Sequence, residues 1–140
     1  MVIDVHAHII VPAILRESAP NESWRPAGRW VDSKQGIDFA GKQIKSALRE
    51  FVHIERTIEE QSISGISHTV LAPWVSILRY NAPPEDALRS SRIQNEALSQ
   101  IAEQYPQQLS VMGTVPLQAP ELAAQELSSI MAMKGMVGVE

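Results

Sequence analysis

Four short apolar runs alternate with three helical patterns along this 140-residue chain. The runs are predicted as strands at residues 2–6, 69–72, 109–115 and 136–139. Apolar residues at helical spacing occupy the intervals, from about residue 51 to Gly65 and at about 84–104 and 120–134. Mostly apolar strands that alternate with helices are typical of a parallel sheet covered by helices, so the order βαβαβαβ predicts an α/β fold.

The number of predicted strands favours an incomplete barrel over an open sheet. A (β/α)8 barrel of the TIM type needs about 250 residues, whereas the last strand here ends at Glu140. A doubly wound sheet could finish at four strands, but its first turn normally carries a glycine-rich phosphate loop, and HAHIIVPA contains no glycine. We therefore expect the N-terminal half of a (β/α)8 barrel, with about four parallel strands and three helices. Because such a half barrel has unpaired strand edges, we expect a homo-oligomer.

The composition changes between the first strand and the first helix. From Pro12 to about Gly41 the chain is rich in Pro, Ser, Asn, Gly and Trp and has no sustained periodicity, which predicts a long loop with a small hairpin. A loop of this length in a compact domain is usually functional. We accordingly predict one incomplete domain over residues 1–140, with an insertion at about residues 12–50.

The composition excludes several classes of function. The chain has no cysteine, so disulfides, thiolate catalysis and cysteine-based zinc sites are excluded and a cytoplasmic location is predicted. A net charge of −4 without runs of basic residues argues against nucleic acid or an anionic membrane as a partner. The N-terminus does not resemble a signal peptide, and every apolar stretch is shorter than the ~20 residues of a membrane span. These features favour chemistry on a small molecule.

Two histidines stand two residues apart at the end of the first strand. In a regular strand Val2, Asp4, His6 and His8 share one face. Two neutral imidazoles can converge on one divalent ion at about 2.0–2.1 Å, and catalytic sites of parallel barrels lie at the carboxyl ends of strands. The pattern therefore predicts a metal site at His6 and His8; the alternative is that both are hydrogen-bonded core residues. The Asp4 carboxylate is expected either to orient a neighbouring side chain or simply to have its hydrogen bonds satisfied by polar contacts.

The other two histidines are weaker candidates. His68 precedes the second strand, so it is expected at the opposite, amino-terminal end of the sheet. His53 lies near the start of the first helix and is interpreted as a surface or capping residue.

Several motifs resemble the amidohydrolase superfamily, and within it the branch that contains aminocarboxymuconate-semialdehyde decarboxylase. The resemblance covers most of the chain, and only the stretch between about residues 10 and 24 looks unrelated. The turn after the third strand is more specific to this branch than the histidine pair, which the whole superfamily shares. The motifs are IDVHAHI, GRWV, LREF, IERTIEEQSISGISHTVLAP, IQNEAL, VPLQAPELAAQEL and GMVGVE.

The resemblance implies a (β/α)8 barrel in which His6 and His8 bind zinc or another divalent ion. It also implies a histidine after the fifth strand and an aspartate after the eighth, which these 140 residues do not include. In such enzymes the metal polarises the substrate or activates water, and a carboxylate is lost without an organic cofactor. The implied substrate is a small carboxylated, unsaturated or aromatic acid. A metal-dependent hydrolase and an inactive half barrel that only binds metal or self-associates remain alternatives, and no catalytic residue beyond the metal ligands is assigned.

Two residues are candidates for substrate binding. In this family the insertion supplies an arginine that pairs with a substrate carboxylate, and alignment through ALREF places Ser46 there, with Lys45 and Arg49 nearby. Arg49 could make a bidentate carboxylate contact; an exposed salt bridge is the alternative. Trp74 follows the second strand and is a candidate for the mouth of a pocket, with ordinary packing as the alternative.

Overall fold

The computed structural model describes residues 1–15, 22–26, 28–31, 36–39, 42–44 and 51–140. Within these residues the main sheet consists of four parallel strands, and three α-helices follow strands of this sheet along the chain. The strands are β1 (Ile3–Ile9), β5 (His68–Pro73), β6 (Leu109–Gly113) and β7 (Met136–Val139). The helices are α1 (Ile54–Ile63), α2 (Pro84–Gln104) and α3 (Pro120–Ile130).

The sheet has the connectivity of a barrel segment. Its strand order is β1-β5-β6-β7, so neighbours in sequence are neighbours in space, and one helix lies between each successive pair along the chain. An order that never reverses is typical of a (β/α)8 barrel, whereas a doubly wound sheet reverses at a switch point. The predicted α/β fold with about four parallel strands and three helices, the N-terminal half of a barrel, is confirmed.

The core lies between the sheet and the helices. Its most buried members are aliphatic side chains from the strands, from α2 and from the two segments with 3₁₀ turns that follow β1 and β5. Each fully buried aliphatic side chain of this kind contributes about 1.5–3 kcal/mol. The central members are Ile10, Ile14, Leu71, Ile77, Leu98, Leu109 and Val111.

Helix α2 matches its predicted bounds because the signals that limit it are local. Pro84 stands in its first turn, where a missing amide costs nothing, and Glu85 and Asp86 follow in the same turn. Helix α3 ends at Ile130, earlier than the predicted 134. There the amides of Ala132 and Met133 donate to carbonyls three residues back, which tightens the turn and ends the α-helix.

The insertion contains a second, antiparallel sheet. Its strands are β2 (Gly28–Val31), β3 (Gly36–Phe39) and β4 (Lys42–Ile44), in the order β2-β3-β4. The predicted small hairpin is therefore present and gains a third strand. The assignment of residues 1–140 to one domain with an insertion at about 12–50 stays a prediction, since much of that insertion lies outside the described residues.

The apolar run at residues 2–6 predicts a buried strand, and this prediction is wrong for β1. Val5 is 71% exposed and Ile3 is 46% exposed. The reason is that β1 lies at the edge of the sheet. One face of β1 points towards the open side of the half barrel, and no described strand covers that face.

Among the described helices, none combines the length and the apolar character that crossing a bilayer requires.

Candidate metal centre

His6 and His8 lie side by side near the carboxyl end of β1. Their ring centroids are 4.8 Å apart and the rings are nearly perpendicular, at 72°. The two rings therefore face the same side of the strand, which is the arrangement that the two-residue spacing predicts.

Glu140 joins the histidines from the opposite edge of the sheet. Its Oε2 atom lies 3.3 Å from Nε2 of His6. One ligand atom from each of His6, His8 and Glu140 lies within 4.8 Å of the other two. The backbone amide of Glu140 donates to the carbonyl of Gly113, which continues the pairing of β7 with β6 past the last strand residue. Since β1 and β7 are the outer strands of the sheet, its curvature brings the three side chains together.

A register shift in β1 decides which way its side chains face. Asp4 is paired with Thr69 and Ala7 with Leu71, so three steps along β1 match two steps along β5. This β-bulge breaks the strict alternation of faces. Asp4 and Ala7 both lie on the helical side of the sheet, where they line one depression beside α1. The expectation that Asp4 shares the face of the histidines is therefore wrong, because uniform alternation cannot anticipate a bulge.

A second register shift acts in the same way on β7. Val111 is paired with Met136 and Met112 with Gly138, so one step along β6 matches two steps along β7. Met136 is buried against the helices. Without the shift Glu140, four residues later, would point to that same side. With the shift it points into the barrel, towards His6.

A backbone carbonyl orients the ring of His8. Nδ1 of His8 lies 3.2 Å from the carbonyl oxygen of Pro73, the last residue of β5. Since a carbonyl only accepts, this hydrogen bond requires the proton on Nδ1 and leaves Nε2 with a free lone pair. A histidine that donates one ring N–H to a carbonyl and offers the other nitrogen is the usual arrangement of a metal ligand.

The three side chains fit a divalent transition metal in their chemistry, and the distance between His6 and Glu140 also fits in spacing. Two imidazoles and one carboxylate form a known type of catalytic zinc site, with the fourth position open. Ligand atoms at about 2.1 Å from a tetrahedral zinc lie about 3.4 Å from each other. The 3.3 Å between His6 and Glu140 matches this spacing.

The sequence did not single out Glu140. The signal that could have found it is its position directly after a predicted strand, at the same edge of the parallel sheet as the histidines.

Of the two predicted substrate-binding residues, the structure places one near this edge. Trp74 follows β5 directly, its amide donates to the carbonyl of Ile9, and its partly buried side chain packs against the core. Trp74 thus lies at the same end of the sheet as His8, and a role in substrate binding stays a prediction. Arg49 lies outside the described residues.

The two remaining histidines lie where the sequence predicts them. His68 begins β5, at the amino-terminal edge of the sheet, and its ring nitrogens contact the Gln107 carbonyl at 3.1 Å and the Ser110 hydroxyl at 2.9 Å. His53 is exposed and directly precedes α1, without a side-chain capping hydrogen bond.

Comparison with known proteins agrees with the resemblance and the fold. No family model matches the chain. The chain is 24% identical over 140 residues to a 2-amino-3-carboxymuconate-6-semialdehyde decarboxylase from Dictyostelium discoideum and covers 39% of that protein. Its fold is similar to that of a 2,6-dihydroxybenzoate decarboxylase from Rhizobium, with a TM-score of 0.69 at 19% identity over 98% of this chain and 36% of that one. It is also similar to a 5-carboxyvanillate decarboxylase from Sphingomonas paucimobilis, with a TM-score of 0.68 at 16% identity over 94% of this chain and 39% of that one.

These matches confirm the predicted similarity to the N-terminal portion of the amidohydrolase decarboxylase branch. The chain spans 36–39% of the length of the three relatives.

Proposed function

We propose that His6, His8 and Glu140 bind one divalent metal ion, zinc in the first instance, in the active site of a metal-dependent decarboxylase. The observation that carries this proposal is the convergence of three ligand atoms within 4.8 Å at the carboxyl ends of barrel strands. That end is where barrel enzymes place their catalytic groups. The three relatives named above are all decarboxylases by name, which supports the reaction type.

The side chains of the site have distinct tasks. His8 is held by the Pro73 carbonyl and presents Nε2, while His6 and Glu140 approach each other from opposite edges of the sheet. The Glu140 carboxylate offsets part of the positive charge of the ion. When bound, the metal supplies Lewis-acid stabilisation of negative charge on the substrate. Three protein ligands leave a coordination position open for that substrate.

The proposed substrate is a small carboxylated acid that is aromatic or unsaturated. Its carboxylate or a neighbouring oxygen would occupy the open position. We place Trp74 at the mouth of the site, where an indole could pack against an unsaturated ring or chain. Arg49 is proposed to pair with a substrate carboxylate through its guanidinium group.

A carbon dioxide release assay tests this proposal. The 140-residue chain is incubated with carboxyl-labelled 2,6-dihydroxybenzoate and related acids, with Zn²⁺ or with a chelator. We expect release that depends on Zn²⁺, disappears in His8→Ala and persists in the control His53→Ala. Cleavage of an amide or ester in place of decarboxylation would favour the hydrolase alternative. Absence of both reactions in a Zn²⁺-loaded chain would contradict an enzymatic role for this chain.

The second candidate function is a metal-binding module that self-associates. It is favoured by the apolar side chains exposed on the two outer strands, Val5 at 71% and Val137 at 55%. Val137 follows Met136, which is buried against the helices, so Val137 faces the open side of the half barrel. In this case a second copy would cover the open side and the chain would act as a homo-oligomer. A cytoplasmic location stays a prediction in both cases.

A further inference from the structure

The bulge in β1 is the feature that turns the histidine pair towards the barrel interior. Two residues, Val5 and His6, stand where β5 has only Val70 between its paired positions. Asp4 and Ala7 flank the bulge and both face the helices. In a strand without the extra residue, His6 and His8 would both lie on the same side as Asp4, away from Glu140. The candidate metal centre therefore depends on this local irregularity.

The side chain of Asp4 supports the bulge directly. Its Oδ1 atom accepts the backbone N–H of His6 at 3.1 Å. A bulge takes backbone groups out of the regular ladder, and a short carboxylate two residues earlier is well suited to accept such an amide. The bond fixes the backbone of His6 itself, one of the proposed ligands.

The surroundings of Asp4 favour a polar side chain at this position. The depression that it lines beside α1 also contains Gln61 and Thr69, which are 6% and 1% exposed. Nε2 of Gln61 and Oγ1 of Thr69 have no hydrogen-bond partner within the described part of the chain. Buried polar atoms of this kind are usually satisfied by ordered water. An anionic oxygen facing the same depression is a natural acceptor for such a water network.

We infer that Asp4 is a positioning residue for the metal site: by holding the amide of His6 it maintains the bulge that lets Asp4 face the helices while His6 and His8 together face Glu140. Asp4 itself lies on the other face of the sheet and does not contact the ion. The inference rests on the proposed metal site and adds to it the residue that pre-organises one ligand.

Two variants of Asp4 separate this role from a general effect on folding. Asp4→Ala removes the acceptor, and Asp4→Asn keeps an acceptor oxygen of the same reach. Calorimetric titration with Zn²⁺ should show a loss of affinity of about 10–100-fold in Asp4→Ala, the range typical for residues that orient metal ligands. Asp4→Asn should restore most of the affinity. Equal affinity in the wild type and Asp4→Ala, or an equal loss in both variants, would overturn the inference.

A metal-free measurement keeps this test independent of the metal proposal. Amide hydrogen exchange of His6 in the apo chain should be faster in Asp4→Ala than in the wild type and near the wild-type rate in Asp4→Asn. The Ile9 amide, beyond the bulge in the same strand, serves as the internal reference. An unchanged His6 rate in Asp4→Ala would overturn the positioning role. If the wild type binds no Zn²⁺ but the His6 amide responds as expected, the metal proposal fails while the support of the bulge by Asp4 stands.

Discussion

Nε2 of His6 lies 3.3 Å from Oε2 of Glu140, although the two residues lie at opposite edges of a four-stranded sheet. In a flat sheet these edges would be about 14 Å apart, since neighbouring strands are separated by about 4.8 Å. The sheet must curl to bring them together. The first four strands of the barrel therefore already assemble a metal-ligand cluster of three side chains.

Removing the charge of Glu140 should weaken metal binding. In Glu140→Gln an anionic ligand becomes a neutral one, so the affinity for Zn²⁺ should fall by at least about tenfold. Glu121→Gln is the matched control, because Glu121 is an exposed residue in the first turn of α3. Competition titration with a chromophoric chelator measures both. Equal affinities in the wild type and Glu140→Gln would show that Glu140 is not a ligand.

Asn95 is predicted to be a major source of stability near the site. Its fully buried side chain accepts from the amide of Thr114 at 2.8 Å and donates to the Thr114 carbonyl and to Glu126, each at 3.0 Å. Asn95→Ala leaves all three groups without this partner, which should lower the free energy of unfolding by about 2–4 kcal/mol. Exposed Asn81→Ala should change it by less than about 0.5 kcal/mol. Urea denaturation followed by circular dichroism gives both values, and similar midpoints would refute the prediction.

Alanine substitutions at two glycines distinguish the cost of a positive φ from the cost of a steric clash. Gly65 and Gly135 both have φ of 73°, so alanine should cost about 1–2 kcal/mol at either position. A Cβ atom at Gly135 would lie 2.3 Å from Cβ of Ala102, whereas one at Gly65 meets nothing within 4 Å. Gly135→Ala should therefore be the more destabilising by a further 1–3 kcal/mol or so. Thermal unfolding of the two variants compares them, and equal losses would argue against the close approach of Gly135 to α2.

The open face of the half barrel should promote self-association. We expect the wild-type chain to elute from size-exclusion chromatography with light scattering as a dimer or larger species. A double variant with Val5→Lys and Val137→Lys should shift towards monomer, because it places a charged side chain at an exposed position on each of the two outer strands. Leu127→Lys, at a position 39% exposed on α3, is the control and should not shift the equilibrium. A stable monomer of the wild type at high concentration would contradict the expectation.

Much of the fold could be predicted from local sequence signals. Helix α2 begins at Pro84 and ends at Gln104 as predicted, because a proline with acidic neighbours marks its start and Pro106 follows its end. Strand β7 likewise matches its predicted residues 136–139. These limits depend on residues that are close together in the chain.

The site was predicted only in part, because part of it depends on contacts between distant residues. The spacing of His6 and His8 was sufficient to predict that their rings lie together. Asp4 lies on the other face of the sheet from the histidines because of how β1 pairs with β5. The alternating pattern of β1 alone does not predict this pairing. The approach of Glu140 depends on the curl of the whole sheet and on the bulge in β7.

Metal analysis of the purified 140-residue chain tests the central claim most directly. After equilibration with Zn²⁺ and removal of the free ion, inductively coupled plasma mass spectrometry should find about one zinc per chain. The zinc should be lost in His6→Ala and in His8→Ala and retained in His53→Ala. A wild-type chain without zinc, or zinc that remains in both of the first two variants, would contradict the account.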